Sequence, residues 1–538
     1  MKPATAGDSN LTSYAFARYH GLNHELRLPW GSRPSLYAYA CFAGWAIVYN
    51  LGTRSLFCAK PLNKNRQLMT TDSPNTSNLR RDLGTIESYA VLIGILIGAG
   101  IFQVTSQAWA MTGPSVILGY AILTPAILAT SIPYAAYLST PLGKEPGGEY
   151  LHISRTLKGY RLAYVGSCLK VISYIGAGAY LANALAGYLI ALIGEGAKPF
   201  QLPIALGSLV LFYLIHVVGV LWFGRMQVVM SALKLLALMV LILPGLFVLK
   251  AANYTPFITH GWGAFGASLL PLFFAYAGFE SLAQTAGEVK DSTRRLPRIL
   301  LIGITITAVI YVLTSVVSFG VLPGSRLQSS TAPMAEVASM YLPAGGAVFV
   351  ILGAIAAIMT ALNGTMLVPS RMGMMLAKDR LAPRWLGVVN TKTATPIRGL
   401  TLTLLACALL LISGQMALAL NVAVAALICL YFIHSLVFLL LPRLNSTLAR
   451  EIKLAMPVWL MNVAALFSVM SMGTMIVIQL LADIDTLKTQ SLSQRIREHT
   501  LTSVELIFVW AIVGVVLYNL ARSQKAEPNL NAESANAD

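Results

Sequence analysis

From about residue 86 to residue 521 the chain is a succession of apolar runs, most of them long enough to cross a bilayer, separated by short polar stretches that often carry Gly or Pro. A helix needs roughly 20 apolar residues to cross about 30 Å of hydrocarbon. On that ruler the sequence predicts about twelve spans, near 86–110, 114–138, 162–193, 202–222, 226–249, 264–285, 298–322, 345–376, 397–413, 416–441, 455–481 and 504–521. No gap between them holds a soluble domain. A backbone inside lipid must satisfy its own polar groups, so runs of this length predict an all-α polytopic membrane protein.

Composition agrees. Only 11% of the 538 residues are charged and 56% are hydrophobic, whereas soluble domains carry about 25% charged residues. That excludes a water-soluble enzyme, and it excludes a nucleic-acid-binding protein despite the net charge of +17. Cys41, Cys58, Cys168, Cys407 and Cys429 show no metal-ligand spacing, so neither a disulfide framework nor a metal site is expected. The spans carry no HExxH or GxSxG pattern. No catalytic residue, cofactor or metal is therefore assigned, and the chain is expected not to be an enzyme.

Lys and Arg set the orientation. With the segment before the first span inside, the inner loops and ends collect 21 basic residues, from Arg80 and Arg81 to Arg522 and Lys525. The outer loops collect 6: Lys198, Lys250, Arg326, Lys488, Arg495 and Arg497. This positive-inside bias predicts a multi-pass protein of the cell membrane with both ends of the twelve-helix core cytoplasmic. The domain reading is an N-terminal extension and cytoplasmic segment over 1–79, a transmembrane core over 80–522 and a cytoplasmic tail over 523–538. Residues 1–68 hold one short apolar stretch, Leu36 to Leu51, and Met69 reads as an alternative natural start; an interfacial or extra helix is the competing reading.

Two interruptions stand out. Ile97-Gly98-Ala99-Gly100-Ile101-Phe102 falls midway through the first span, and Phe273-Phe274-Ala275-Tyr276-Ala277-Gly278-Phe279-Glu280 falls within the sixth. Gly-x-Gly in a single span usually marks close helix packing. Paired interruptions five spans apart point instead to the site of a secondary transporter. Breaking a helix at membrane depth exposes N–H groups at the start of one half and C=O groups at the end of the other. The first suits a carboxylate, the second an ammonium. A zwitterionic amino acid offers both.

Further segments follow in a set order: Pro146-Gly147-Gly148-Glu149-Tyr150; Gly219-Val220 through Gln227 to Lys234-Leu235; Glu288-Val289-Lys290-Asp291-Ser292-Thr293-Arg294-Arg295-Leu296-Pro297; and Ser370-Arg371 with Ala377-Lys378-Asp379 and Thr395-Pro396. Together with the two interruptions they resemble the amino acid–polyamine–organocation transporter superfamily over most of residues 80–450. Asp291-Ser292 stands where that family commonly has Asn-Pro, and Arg380 where it commonly has Gly.

The resemblance implies a leucine-transporter-type fold of two inverted five-helix repeats plus two C-terminal helices. It also implies alternating access for amino acids or related amines. Gly98, Ala99 and Gly100, with the amides of Ile101 and Phe102, are then the expected carboxylate site. Ala275, Tyr276 and Ala277 would supply carbonyls to the amino group, with Gly278 in the break and Phe279 as the candidate gate. Lys234, inside the fifth span, is the candidate for proton coupling; its alternative is a structural ammonium held by carbonyls of the first span. Glu280 is a secondary candidate, read first as a carboxylate linking helices. Lys170 is expected to snorkel to the inner interface. Glu149, Glu288 and Lys290 are expected in inner loops, as gating ion pairs or solvated surface. His216 and His434 are expected to be packed, and Asn363 and Tyr431 are possible pathway residues. Proton symport is the leading expectation, exchange the alternative, and an intramembrane enzyme or a channel a remote one. The expected partners are an amino acid substrate and the lipid bilayer, with no nucleic acid.

Overall fold

The computed structural model describes residues 81–523 except 324, 325, 328, 329, 331, 344 and 498–500. The readings made of residues 1–80 and 524–538 lie outside the described residues.

The described residues are helical throughout, with no strands; one isolated parallel bridge joins Leu83 to Val289. The main helices are α1 Thr85–Leu96, α2 Thr105–Thr112, α3 Val116–Leu138, α4 Glu149–Leu157, α5 Arg161–Ile193, α6 Gln201–Val218, α7 Val220–Gly245 and α8 Gly261–Tyr276. They continue with α9 Ser292–Val321, α10 Pro333–Ser339, α11 Gly346–Lys378, α12 Ile397–Ile412, α13 Met416–Leu444, α14 Val458–Thr489 and α15 Ser503–Ser523. Among the described residues, 9 helical stretches are long and apolar enough to cross a membrane. One of them, Thr85–Leu138, covers the first two predicted runs and contains both the first interruption and the turn at Gly113-Pro114-Ser115. Two runs are met by shorter apolar helices, Ile397–Ile412 and Ser503–Asn519.

The border between the fourth and fifth predicted runs moves. The sequence put it near 222–226; the chain turns at Gly219, whose φ of 128° is open to glycine and strained for any side chain. Trp222 and Arg225 consequently sit in the first turns of α7, the guanidinium over the indole ring at 5.6 Å.

The packing is inside-out relative to a soluble domain. Large apolar side chains such as Phe247, Leu409 and Trp459 face outwards, as a lipid-facing surface requires. Buried among the helices are Lys170, Lys234 and Arg371, each with polar partners. α5 packs most extensively on α13 and α11, and α11 also packs on α7. Close approach in the last pair depends on Gly353: a Cβ there would lie 2.1 Å from Cβ of Ala237. Without a hydrophobic drive between helices in lipid, such small-residue contacts carry association.

Near α4, ion pairs join elements far apart in sequence. Arg371 of α11 holds Glu288 at 2.6 Å in a fully buried pair. Lys378 reaches Glu145 at 2.8 Å and Arg155 reaches Asp379 at 3.3 Å. The amide of Leu83 bonds the carbonyl of Glu288, and the amide of Lys290 the carbonyl of Leu83. The entry to α1 and the segment after α8 are therefore tied at one end of the bundle.

Gly353→Leu is expected to overpack the α7–α11 contact at a cost of about 1–3 kcal/mol. A lowered thermal midpoint and a broadened size-exclusion profile of the detergent-solubilised protein would report it; a wild-type profile would show that α7 and α11 have room to part.

Candidate functional site

The first interruption is built by the residues that predicted it. α1 stops at Leu96, Ile97 leaves helical geometry (φ −82°, ψ 85°), and the amide of Gly98 folds back onto the carbonyl of Leu96 at 3.0 Å. The chain resumes as a wide π-helical turn over Gly100–Val104 before α2. In the second interruption α8 stops at Tyr276, Ala277 is extended, and Gly278 takes φ 106°. A 3-10 helix then runs from Phe279 to Glu288. Its start is capped by Glu280, whose Oε2 accepts the Gly278 amide at 3.1 Å, placing a negative charge where a helix start favours one.

The two breaks touch. A Cβ on Gly100 would lie 2.5 Å from Cα of Ala275, and one on Gly278 would lie 2.4 Å from Ile95 Cγ2. Glycine here permits backbone to meet backbone. Between the breaks lies a cavity of about 30 Å³, room for two or so waters. It is lined by Gly98, Ala99 and Gly100 from the first break and by Phe274, Ala277 and Gly278 around the second. Ser173, Tyr174, Ala177 and Leu181 of α5, Thr365 of α11 and Leu427 of α13 contribute further walls. A larger cleft of about 320 Å³ lies between the end of α5 and α10 and contains neither interruption.

The expected site residues divide accordingly. Gly98, Ala99, Gly100, Ala277 and Gly278 are brought together around the cavity. Ile101, Phe102, Ala275, Tyr276 and Phe279 are buried but outside its lining. The Phe102 carbonyl receives the Tyr188 hydroxyl at 2.9 Å, and Ala275 is pressed onto Gly100. The turn at Gly278 aims Phe279 at the rings of Tyr134 and Tyr431; Phe274, just before the break, lines the cavity instead. Asn363 does not line it: its carbonyl bonds His216 at 2.8 Å and its amide donates to Gln227 at 3.3 Å. His216 and His434 are both buried and bonded, His434 to His152 at 2.9 Å.

Carbonyls at the breaks are met by side chains, although those of Ile93 and Leu96 also accept the amides of Ile97 and Gly98. Lys234 donates to the carbonyls of Ile93, Gly94 and Ile97 at 2.9, 3.0 and 2.8 Å, and lies 2.9 Å from Thr360 Oγ1. Among the described residues no carboxylate pairs with it. The ammonium therefore sits at the negative end of α1, where the helix dipole favours a cation. Those contacts are the ones the structural reading of Lys234 requires; a role in coupling would be carried by the same contacts. Tyr311 of α9 places its hydroxyl 2.5 Å from the Leu96 carbonyl and 2.7 Å from that of Ala275, touching both breaks. A lone Tyr in an apolar run gives no signal of this in the sequence.

Two expectations about charge are corrected, those for Lys170 and Glu149, while Glu280 and Glu288 take the linking and paired roles expected of them. Lys170 does not reach the interface. It lies about 13 Å along α5 from Arg161 at 1.5 Å per residue, fully buried, with its ammonium 2.7 and 2.8 Å from the two oxygens of Glu149 and 3.8 Å from Glu280. Glu149 is no solvated loop residue: it opens α4 and also accepts from Tyr134 at 2.9 Å. Glu280 accepts from Tyr174 at 2.6 Å and from Tyr431, so it links α5 and α13 to the second break. Glu288 forms the buried pair with Arg371, while Lys290 is exposed.

Interrupted apolar helices closing on a small polar-backbone cavity define an integral membrane transport protein. A family model described as amino acid permease matches residues 83–519, and the chain belongs to that family. Cationic amino acid transporter 9, chloroplastic, of Arabidopsis thaliana is 28% identical over 330 residues, 58% of this chain and 58% of its own length; the match thus spans little more than half of that relative. Branched-chain amino acid permease BcaP of Bacillus subtilis is 25% identical over 62% of this chain and 75% of its own. The Methylthioribose transporter of Bacillus subtilis is 26% identical over 65% and 77%.

Tyr311→Phe removes the hydroxyl that reaches the Ala275 carbonyl and that of Leu96, the latter also bonded by the Gly98 amide, and is expected to cost about 1–3 kcal/mol. The check is the thermal midpoint of the purified protein; an unchanged midpoint would mean that another donor reaches Ala275.

Proposed function

We propose that this chain is a secondary active transporter of the cell membrane that moves amino acids or related amines by alternating access, with proton symport as the coupling mode. The observation that carries the proposal is the cavity held between two interrupted helices, with Gly98, Ala99 and Gly100 on one side and Ala277 and Gly278 on the other. A helix restarting after Gly98 has amides without a carbonyl one turn before them, and these suit a carboxylate. Of the three residues expected to offer carbonyls to the amino group, Ala277 lines the cavity. A cavity of about 30 Å³ admits an amino acid only when the surrounding helices part, as a carrier's occluded site must. Two of the relatives are named for amino acid transport, which favours the same class.

The proposed architecture is twelve spans with cytoplasmic ends, the first ten in two inverted repeats. Residues 1–79 would be an extension and cytoplasmic segment and 523–538 a cytoplasmic tail. Proton coupling is assigned to Lys234. Its ammonium bonds two carbonyls of α1 and that of Ile97 just after it, so loss of a proton would release the helix that leads into the first break. Exchange of one amino acid for another is the second reading, and under it Lys234 is a permanent structural cation.

Reconstituted protein is expected to accumulate labelled amino acid under an inward proton gradient and to lose it when the gradient collapses. Uptake only into vesicles preloaded with amino acid would make it an exchanger. Lys234→Ala should uncouple uptake from the gradient, and a gradient-driven Lys234→Ala protein would return that residue to a structural role. Gly100→Leu is expected to abolish uptake while leaving membrane insertion intact; normal uptake would remove the site from between the breaks.

A further inference from the structure

The lining of the central cavity contains no charged side chain. The nearest negative charges lie one layer behind it. Gly278 lines the cavity and Glu280 follows two residues later; Ser173 and Tyr174 line it and Lys170 precedes them by about one helical turn. Tyr174 is the partition: its ring forms part of the cavity wall, its hydroxyl donates to Glu280 at 2.6 Å, and the Lys170 ammonium lies 5.4 Å from the ring centroid. Behind this partition two carboxylates, Glu149 and Glu280, flank one ammonium at 2.7 and 3.8 Å.

Stability alone is a weak reason for this arrangement, because the desolvation of a buried ion pair often exceeds its Coulombic gain. Two acidic side chains beside a cavity that holds an amino acid's backbone are, chemically, a receptor for a second cation such as the ammonium or guanidinium of a basic side chain. In this chain the receptor is already filled by a lysine of α5. Resting on the transport reading above, we propose that Lys170 is a tethered cation that occupies the subsite for a basic side chain and thereby restricts the protein to amino acids with neutral side chains. Specificity would then come from excluding the competitor as much as from fitting the preferred substrate.

The test is uptake of labelled leucine, alanine, lysine and arginine into proteoliposomes. Wild-type protein should prefer the neutral pair by at least about tenfold, a difference of about 1.4 kcal/mol. Lys170→Ala should move the lysine-to-leucine uptake ratio by about tenfold or more towards lysine, and Lys170→Arg should keep the wild-type ratio. A purely structural lysine would lower uptake of all four without moving the ratio. Since Lys170→Ala leaves two buried carboxylates unpaired, Glu149→Gln with Lys170→Met provides a variant that retains Glu280 alone, and the same shift in ratio is expected.

Wild-type uptake of lysine or arginine equal to leucine overturns the proposal, as does an unchanged ratio in a variant that still carries leucine. If neither variant folds, thermal stabilisation of the wild-type protein decides: leucine should stabilise it and lysine should not, and equal stabilisation overturns the assignment. Wild-type protein that takes up none of the four amino acids refutes the transport reading itself, an outcome distinct from the failure of the Lys170 assignment.

Discussion

A helix broken inside a bilayer leaves backbone carbonyls out of reach of bulk water, and much of what is particular about this protein answers that constraint. The ammonium of Lys234 bonds the carbonyls of Ile93, Gly94 and Ile97. The hydroxyl of Tyr311 meets those of Leu96 and Ala275. An unsatisfied polar group costs several kcal/mol in hydrocarbon, and α7 and α9 deliver donors that help to meet that cost. The cavity depends on the breaks as well, since Gly98, Ala99, Gly100, Ala277 and Gly278 form part of its wall.

Charge is distributed by the same logic. Lys170, Arg371 and Lys234 are buried together with Glu149, Glu280 and Glu288, and each has a partner within hydrogen-bond reach. The Arg371–Glu288 pair ties α11 to the segment that follows the second break. Glu149 and Glu280 with Lys170 tie that segment's start to α4 and α5. Movement of the second break thus pulls against buried ion pairs on two sides, which couples the cavity to the end of the bundle that carries α4.

Much of the fold was legible because membrane crossing imposes a crude rule on composition. Apolar runs of sufficient length had to become helices, and helix covers them with small shifts such as the turn at Gly219. The two breaks were legible for a related reason: Gly98, Gly100 and Gly278 are costly in a helix interior, so their presence signals a demand on the backbone, and each does permit a close approach. Ile101, Phe102 and Phe279 adjoin the breaks in sequence and are buried, but they do not line the cavity.

By itself the sequence determined the class of the molecule, the placing of its helices and the two points at which backbone is exposed, because hydrophobic length and glycine position are local properties. The tertiary structure decided what surrounds those points. Tyr174, Phe274, Thr365 and Leu427 meet at one cavity from four separate elements, and Lys170 finds Glu149 and Glu280 rather than the interface. Such meetings depend on helix rotation and register, which packing between distant segments sets and no single run of residues encodes.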